Sequence, residues 1–232
     1  MEQKNKARQG AAKYIIVLLL QRMIGAALFV IAAGTISDMR GIVYLALYFA
    51  VSIVTFVMMF SGHQETLNER SKKQENTKSW DKIILPIYVL LAYYGIYFAA
   101  GMGVRFNWYS LPIEWFYIGI AFYLVSSVFT AWAVLANKHF EETSRIQDNR
   151  EQTVMTTGPY RIVRHPGYAG IVLWAIASAL MIGTIAVGVV SVAIIVAIWI
   201  RTYLEDKMLK DELEGYLAYS QTVRYRLLPF IW

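Results

Sequence analysis

The sequence predicts an all-α integral membrane protein of about six transmembrane helices, the last two a tight hairpin, followed by a cytosolic amphipathic helix and tail. Three observations carry that prediction. Of 232 residues, 57% are hydrophobic and only 16% are charged, against roughly 25% charged in a soluble domain. The apolar residues fall in blocks of about 17 to 24, long enough for a helix to cross a bilayer. Between the blocks, lysine and arginine collect in alternate loops, the asymmetry that sets which side of the membrane each loop faces.

The first block, 14–33, contains Gln21 and Arg22 and ends without a small-residue cleavage site, so it reads as a retained helix and not a removable signal. Arg22 either snorkels to the interface or faces a polar interior. Blocks 41–60, 83–101 and 113–136 follow, and with the first they make an N-terminal unit of four spans, 1–136. Blocks 168–183 and 187–203 are separated only by "GTIAVG", which reads as a tight turn or as a glycine interruption in one long helix. A continuous helix of that length would overshoot a hydrocarbon core of about 30 Å, which favours the hairpin. Beyond residue 200 the chain becomes charged, while Leu204, Met208, Leu209 and Leu213 keep helical spacing. This is an amphipathic helix leaving the membrane, with Gly215 as its expected end.

Orientation follows from the short loops. Lys4, Lys6, Arg8 and Lys13 precede the first span, and Arg70, Lys72, Lys73, Lys78 and Lys82 follow the second. Lys138, Arg145, Arg150, Arg161 and Arg164 follow the fourth, and the tail adds Arg201, Lys207, Lys210, Arg224 and Arg226. The opposite loops hold only Arg40 and Arg105. Both termini, the 61–82 loop and the 137–167 loop are therefore expected in the cytoplasm. The net charge of +6 is topogenic by this reading and gives no reason to expect a nucleic-acid partner. With no cysteine, disulfides, thiolate nucleophiles and cysteine-ligated metals are excluded. His63 and His139 have no partner at metal-ligand spacing, so no metal site is expected. Glu141 and Glu142 read as solvated.

The chemistry concentrates in "GPYRIVRHPGYAG", residues 158–170. Pro166 restricts His165 to extended backbone and suits the first position of the helix that follows. Such an entrance presents unpaired N–H groups and the positive end of the helix dipole, which attract a carboxylate or phosphate. Tyr168 falls in the first turn. The plain alternative is a basic loop and aromatic belt anchoring a helix at the headgroups. Arg201 and Glu205 lie four apart and share a helix face; they are either a surface ion pair or a binding pair set at the interface, where charge is costly.

These residues resemble the isoprenylcysteine carboxyl methyltransferase family in its prokaryotic branch, within a wider group that includes phospholipid N-methyltransferases. The matching pieces are "RIQDNREQTVMTT", "GPYRIVRHPGYAG", Arg201 with "ED" at 205 and 206, and "GYLAYSQTVRYRLLPFIW". They fall in 137–232, which reads as a methyltransferase core comprising loop, hairpin, helix and tail. The resemblance implies a membrane-embedded enzyme that moves a methyl group from S-adenosylmethionine (SAM), bound from the cytosol, to a lipophilic small-molecule or lipidated acceptor arriving through the bilayer, in a prokaryotic cell membrane. It assigns cofactor contacts to Gln147, to Gln152, Thr153, Val154 and Met155, to Tyr160, to His165, Pro166, Gly167 and Tyr168, and to Glu205. Arg201 would bind the acceptor, and Arg201 and Glu205 would form the catalytic pair. In two places the chain departs from the family: Gln152 stands where some members have histidine, and Asp206 replaces a second glutamate.

Methyl transfer from a sulfonium to an anion destroys charge, so a dry site favours it once the reactants are aligned. A carboxylate acceptor held by Arg201 needs no general base, which favours carboxyl O-methylation of an isoprenylcysteine-like or other amphiphilic acid. A lipid amine would arrive protonated and require a base. That N-methyltransferase reading, and a non-catalytic accessory protein retaining the fold, are the alternatives.

Overall fold

The computed structural model describes residues 2–72, 74 and 76–232. Lys73 lies outside the described residues, as do the side chains of Lys4 and Lys6. The described residues are helical throughout the apolar blocks. In chain order the helices are α1 (Glu2–Ala33), α2 (Met39–Gly62), α3 (Gln64–Arg70), α4 (Asp81–Leu90), α5 (Ile96–Arg105), α6 (Ile113–Ala136), α7 (Pro166–Ile182), α8 (Ile185–Glu212) and α9 (Tyr216–Thr222). A π turn, Leu91–Gly95, joins α4 to α5, so Asp81–Arg105 runs as one apolar helix.

Five helices are long and apolar enough to cross a membrane: Ala7–Ala33, Met39–Gly62, Asp81–Arg105, Ile113–Ala136 and Ile185–Glu212. The sixth expected span is the shorter α7, whose 17 residues reach about 26 Å at 1.5 Å per residue. This set is an all-α integral membrane protein. Its outward faces are apolar, with residues such as Ile31, Val128 and Val189 more than 60% exposed, as expected of surfaces that meet lipid instead of water.

The break between α7 and α8 is two residues wide. Gly183 closes α7 at φ 72°, a left-handed conformation that glycine adopts without a Cβ penalty. Thr184 then caps α8 by accepting from the Val187 N–H. The hairpin expectation holds, but the turn is only Gly183 and Thr184; the rest of "GTIAVG" is already helix. Arg40, one of the two basic residues on this side, donates to the Ile182 carbonyl at 3.2 Å and to the Leu111 carbonyl at 3.0 Å. It therefore ties the hairpin tip to the α5–α6 loop and satisfies a helix-end carbonyl.

Other boundaries differ from the sequence reading. The first helix starts at Glu2 rather than near residue 14, and the 61–82 loop contains α3. The amphipathic helix expected after residue 200 is the continuation of α8. It ends at Glu212, three residues before Gly215. Gly215, at φ 80°, instead turns the chain into α9. Pro86 lies inside α4, where a missing N–H and a ring clash strain the ordinary ladder, and the π turn follows one turn later. Buried Tyr44, Ile96, Tyr97, Met181, Ile194 and Ile198 form the shared core of these helices.

An alanine at position 183 would meet a positive φ and press its Cβ against Arg40 Nη1. Gly183→Ala should destabilise the protein by about 1–3 kcal/mol, read as a lower midpoint of thermal unfolding in detergent.

Candidate active site

The long connection from α6 to α7 folds over the ends of α4 and α8, and four polar anchors hold it. Asp81, fully buried at the start of α4, pairs with Arg201 on α8 at 2.8 Å and accepts from the Ser144 N–H at 2.7 Å. Gln147, 2% exposed, donates to the His139 carbonyl and receives the Gln152 side chain on its own N–H. Glu141 makes a two-pronged pair with Arg145 at 2.9 and 3.0 Å. Glu141 is therefore buried and paired, not solvated as the sequence suggested. The reason is that Arg145, four residues further along the loop, neutralises it. Glu142 is exposed as expected, but it accepts a hydrogen bond from Tyr14 of α1.

The fourth anchor is Asp206, 1% exposed on α8. Arg164 grips both its oxygens, at 2.6 and 3.0 Å. Arg226 reaches it at 2.9 Å, Lys210 at 3.0 Å and the Tyr216 hydroxyl at 3.1 Å. The tail then lies along the loop: the Arg164 and His165 N–H groups donate to the Tyr225 and Arg226 carbonyls, both at 2.9 Å. Arg226 thus turns inward, toward α8.

Between these anchors is a cleft of about 790 Å³, open mouth included, within the range of small-molecule sites. Every residue assigned to the cofactor from sequence lines it: Gln147, the run Gln152 to Met155, Tyr160, the run His165 to Tyr168, and Glu205. His165 caps the start of α7, with Pro166 at the first helical position. Its ring stacks on Tyr168, with centroids 5.8 Å apart and planes 5° from parallel. The Tyr168 hydroxyl donates to Glu205 Oε2 at 2.5 Å, and Ser144 Oγ donates to the same oxygen at 2.7 Å. Glu205 Oε1 makes no hydrogen bond among the described residues and lies 3.8 Å from His165 Nδ1. Gly167 lets Phe140 approach: a Cβ there would sit 2.6 Å from the ring.

Arg201 is placed differently from the cofactor set. It is 3% exposed, does not line the cleft, and makes no ion pair with Glu205. Its guanidinium is held by Asp81 and the Glu142 carbonyl and lies 5.4 Å from the centroid of the Tyr168 ring. Tyr168 stands between the two members of the expected pair.

Sequence reasoning missed several cleft residues. His139 is 5% exposed, and neither of its ring nitrogens has a partner among the described residues; the same is true of Thr143 Oγ1. Tyr216 and Tyr219, on α9, close one wall with Leu213. Of these, only the aromatic spacing in "GYLAYS" was visible as a signal. No group of three or more acidic or histidine side chains suited to a metal exists among the described residues. Such polar orphans in a concave wall match a polar ligand that brings its own hydrogen-bond partners.

The fold and cleft define a polytopic helical membrane protein with a polar site at the ends of its helices. Residues 119–211 match the model of the isoprenylcysteine carboxyl methyltransferase (ICMT) family. Two curated relatives, from Oryza sativa subsp. indica and subsp. japonica, are each named "Probable protein-S-isoprenylcysteine O-methyltransferase". Each is 26% identical over 129 residues, covering 54% of this chain and 66% of the relative, just under two thirds of its length. Together these matches support membership of the isoprenylcysteine carboxyl methyltransferase family. The matched region begins inside α6 and ends within α8, so it contains the loop and hairpin but not the tail.

Removing one partner from a buried charge cluster typically costs about 3–5 kcal/mol. Asp206→Asn should lose stability on that scale and, in hydrogen exchange, lose protection at the Arg164 and His165 amides.

The His139 pKa is lowered, first by burial and then by the charges of Arg150 and Lys138. The unfolded chain therefore binds a proton below about pH 6.5 that the folded chain resists, so this group's contribution to stability falls as pH drops. His139→Gln should show a smaller loss of melting temperature between pH 7 and pH 5 than the wild type.

Proposed function

We propose that the protein is a SAM-dependent methyltransferase acting on a lipophilic acceptor, with carboxyl O-methylation of an isoprenylcysteine-like or other amphiphilic acid as its reaction. The observation that carries this reading is the single cleft that gathers His165, Tyr168 and Glu205 with the unpartnered His139 and Thr143, inside the region matching the family.

The residues fit the cofactor. Glu205 Oε1 and His139 offer hydrogen-bond partners for its amino, carboxylate or ribose groups. Met155, Leu209 and Leu213 offer an apolar wall, and Tyr216 and Tyr219 an aromatic one, for a purine. When bound, the cofactor supplies an electrophilic methyl group on a sulfonium. The chain's own part is to orient and to exclude water. Tyr168 and Ser144 fix Glu205, and the Asp206 cluster holds the tail across the loop. Arg201, paired with Asp81 and outside the cleft lining, backs Tyr168 in place of the two-pronged grip read from sequence. The preference for a carboxylate acceptor rests on its needing no general base, which a protonated amine does need. We also read the cleft side as cytosolic, because the basic loops flank it, and the host as a prokaryotic cell membrane.

One observation favours a second reading. Glu205 is a carboxylate on the cleft wall with an unbonded oxygen, the group a lipid amine would need to take its proton. Base treatment separates the two: methyl esters hydrolyse, whereas methylated amines survive. With methyl-labelled SAM and an acidic prenyl thioether, the expected product is base-labile, and base-stable label would move the assignment to N-methylation. In calorimetric titration with S-adenosylhomocysteine, Glu205→Gln and His165→Ala should each weaken binding by about 1–3 kcal/mol, or roughly five- to 150-fold. A folded sample that binds neither SAM nor S-adenosylhomocysteine would favour the accessory-protein reading.

A further inference from the structure

A second cavity lies within the bundle, lined by α1, α2, α4, the π turn, α6 and α7, with about the same empty space as the cleft, 790 Å³ including its mouth. Its lining is unusual for a membrane interior. Arg22 faces it from α1, accompanied by Ser52, Thr55, Ser127 and Thr130. The two sequence readings of Arg22 are thereby resolved: the side chain turns into the bundle and does not snorkel outward.

Arg22 sits eight residues into the apolar block that begins at residue 14, or about 12 Å along the helix. A cation at such depth is costly and ordinarily meets a counter-charge. Arg22 has no ion pair with a described acidic residue. Its Nε donates to Ser52 Oγ at 2.7 Å and its Nη1 to the Leu18 carbonyl at 3.3 Å. Its guanidinium lies near three aromatic rings, 4.8 Å from Phe56, 5.4 Å from Tyr48 and 5.9 Å from Tyr93. Nη2 has no hydrogen-bond partner among the described residues. The Tyr48 hydroxyl, on a side chain 7% exposed and also lining the cavity, has none either. The rings hold the cation in place but supply no negative charge.

The cavity adjoins the cleft along α7. Gly167 and Tyr168 line the cleft, and Gly170, Ile171 and Trp174 line the cavity. Residues three apart on a helix are neighbours, so Tyr168 and Ile171 lie within one turn of each other. The cavity lining thus begins one helical step from the polar site, with the half-buried Arg22 on its α1 side and apolar residues such as Val51, Ala92 and Ile171 available to a hydrocarbon chain.

We propose that this cavity binds the anionic group of an amphiphile, a carboxylate or phosphate on an apolar chain, with Arg22 as counter-ion and the Tyr48 hydroxyl as a further donor. The proposal stands independently of methyl transfer. The ligand is either a membrane phospholipid or a free amphiphilic acid, and the two share this chemistry.

The test uses the full chain in phosphatidylcholine nanodiscs and titrates 11-(dansylamino)undecanoic acid, read by energy transfer from tryptophan. Saturable binding is expected for the wild type, with at least a tenfold loss in Arg22→Gln and a smaller loss in Arg22→Lys. The methyl ester of the probe should bind weakly and equally to all three. Ser127→Leu, which narrows the cavity and leaves Arg22 in place, should also lower affinity and keeps the test valid if Arg22→Gln does not fold. Melting temperature and S-adenosylhomocysteine titration of the same samples report folding and cofactor binding separately, so a failure of the methyltransferase reading is distinguishable. Displacement of the probe by phosphatidylglycerol would support the proposal with phospholipid as occupant; retention would support it with a free acid. Equal affinity of wild type and folded Arg22→Gln, or tight binding of the ester, would overturn it.

Discussion

The buried carboxylate of Asp206 is the interaction on which the cleft depends. Arg164 from the loop, Lys210 from the same helix, Arg226 from the tail and the Tyr216 hydroxyl from α9 all converge on it. A carboxylate removed from water is expensive unless its lone pairs are filled, so the cluster holds only when all these segments are in place. Their assembly brings the Arg164 and His165 amides onto tail carbonyls and sets His165 at the entrance of α7. The glutamate expected here in the family pattern is aspartate in this chain, with a side chain shorter by one methylene. Two-pronged pairing with Arg164 at 2.6 and 3.0 Å shows that the shorter reach is met by the loop's close approach.

A second buried pair, Asp81 with Arg201, does for the opposite wall what Asp206 does for the tail. It links the start of α4 to α8 and, through the Ser144 N–H, fixes the residue that hydrogen-bonds Glu205. Glu205 therefore receives its orientation from two directions: Tyr168, held by stacking on His165, and Ser144, held by Asp81. Positioning a carboxylate this way leaves one oxygen unbonded at the cleft wall. The geometry is preorganised before any ligand arrives, which lowers the cost of ordering on binding.

What the sequence made legible follows from how each signal is encoded. Spans are written locally, in runs of apolar residues, so the blocks were found with errors mainly at their ends. The residues assigned to the cofactor fall mostly in contiguous strings, and their gathering in one cleft was legible for that reason. Pairings between distant residues leave no local trace. Arg201 is 120 residues from Asp81, so its neighbour in sequence, Glu205, looked like its partner when the true partner was on another helix. Glu141 read as solvated for the related reason that nothing in its composition reveals the closure of the loop over it. The π turn after Pro86 and the short α3 were hidden because an apolar run and a polar loop read the same with or without them. Gly215 was seen as a breaker but assigned to the wrong side of its break: its positive φ starts α9 and does not end α8.

The distribution of charge with depth joins these pieces. The charged clusters built on Asp206, Asp81 and Glu141 lie where α4, α7 and α8 meet the α6–α7 loop, and there each buried carboxylate is matched by an arginine. Among the described residues, Arg22 alone carries formal charge into the interior cavity, and there it is surrounded by ring faces and hydroxyls but no acid. An ion pair at that depth would have been the simpler way to stabilise an arginine. A carboxylate in that position would also neutralise the cation and remove its attraction for any anion entering from the membrane. The absence of an acidic partner at Arg22, beside the full pairing of Arg201 and Arg164, separates cations that hold the fold together from one whose charge remains available.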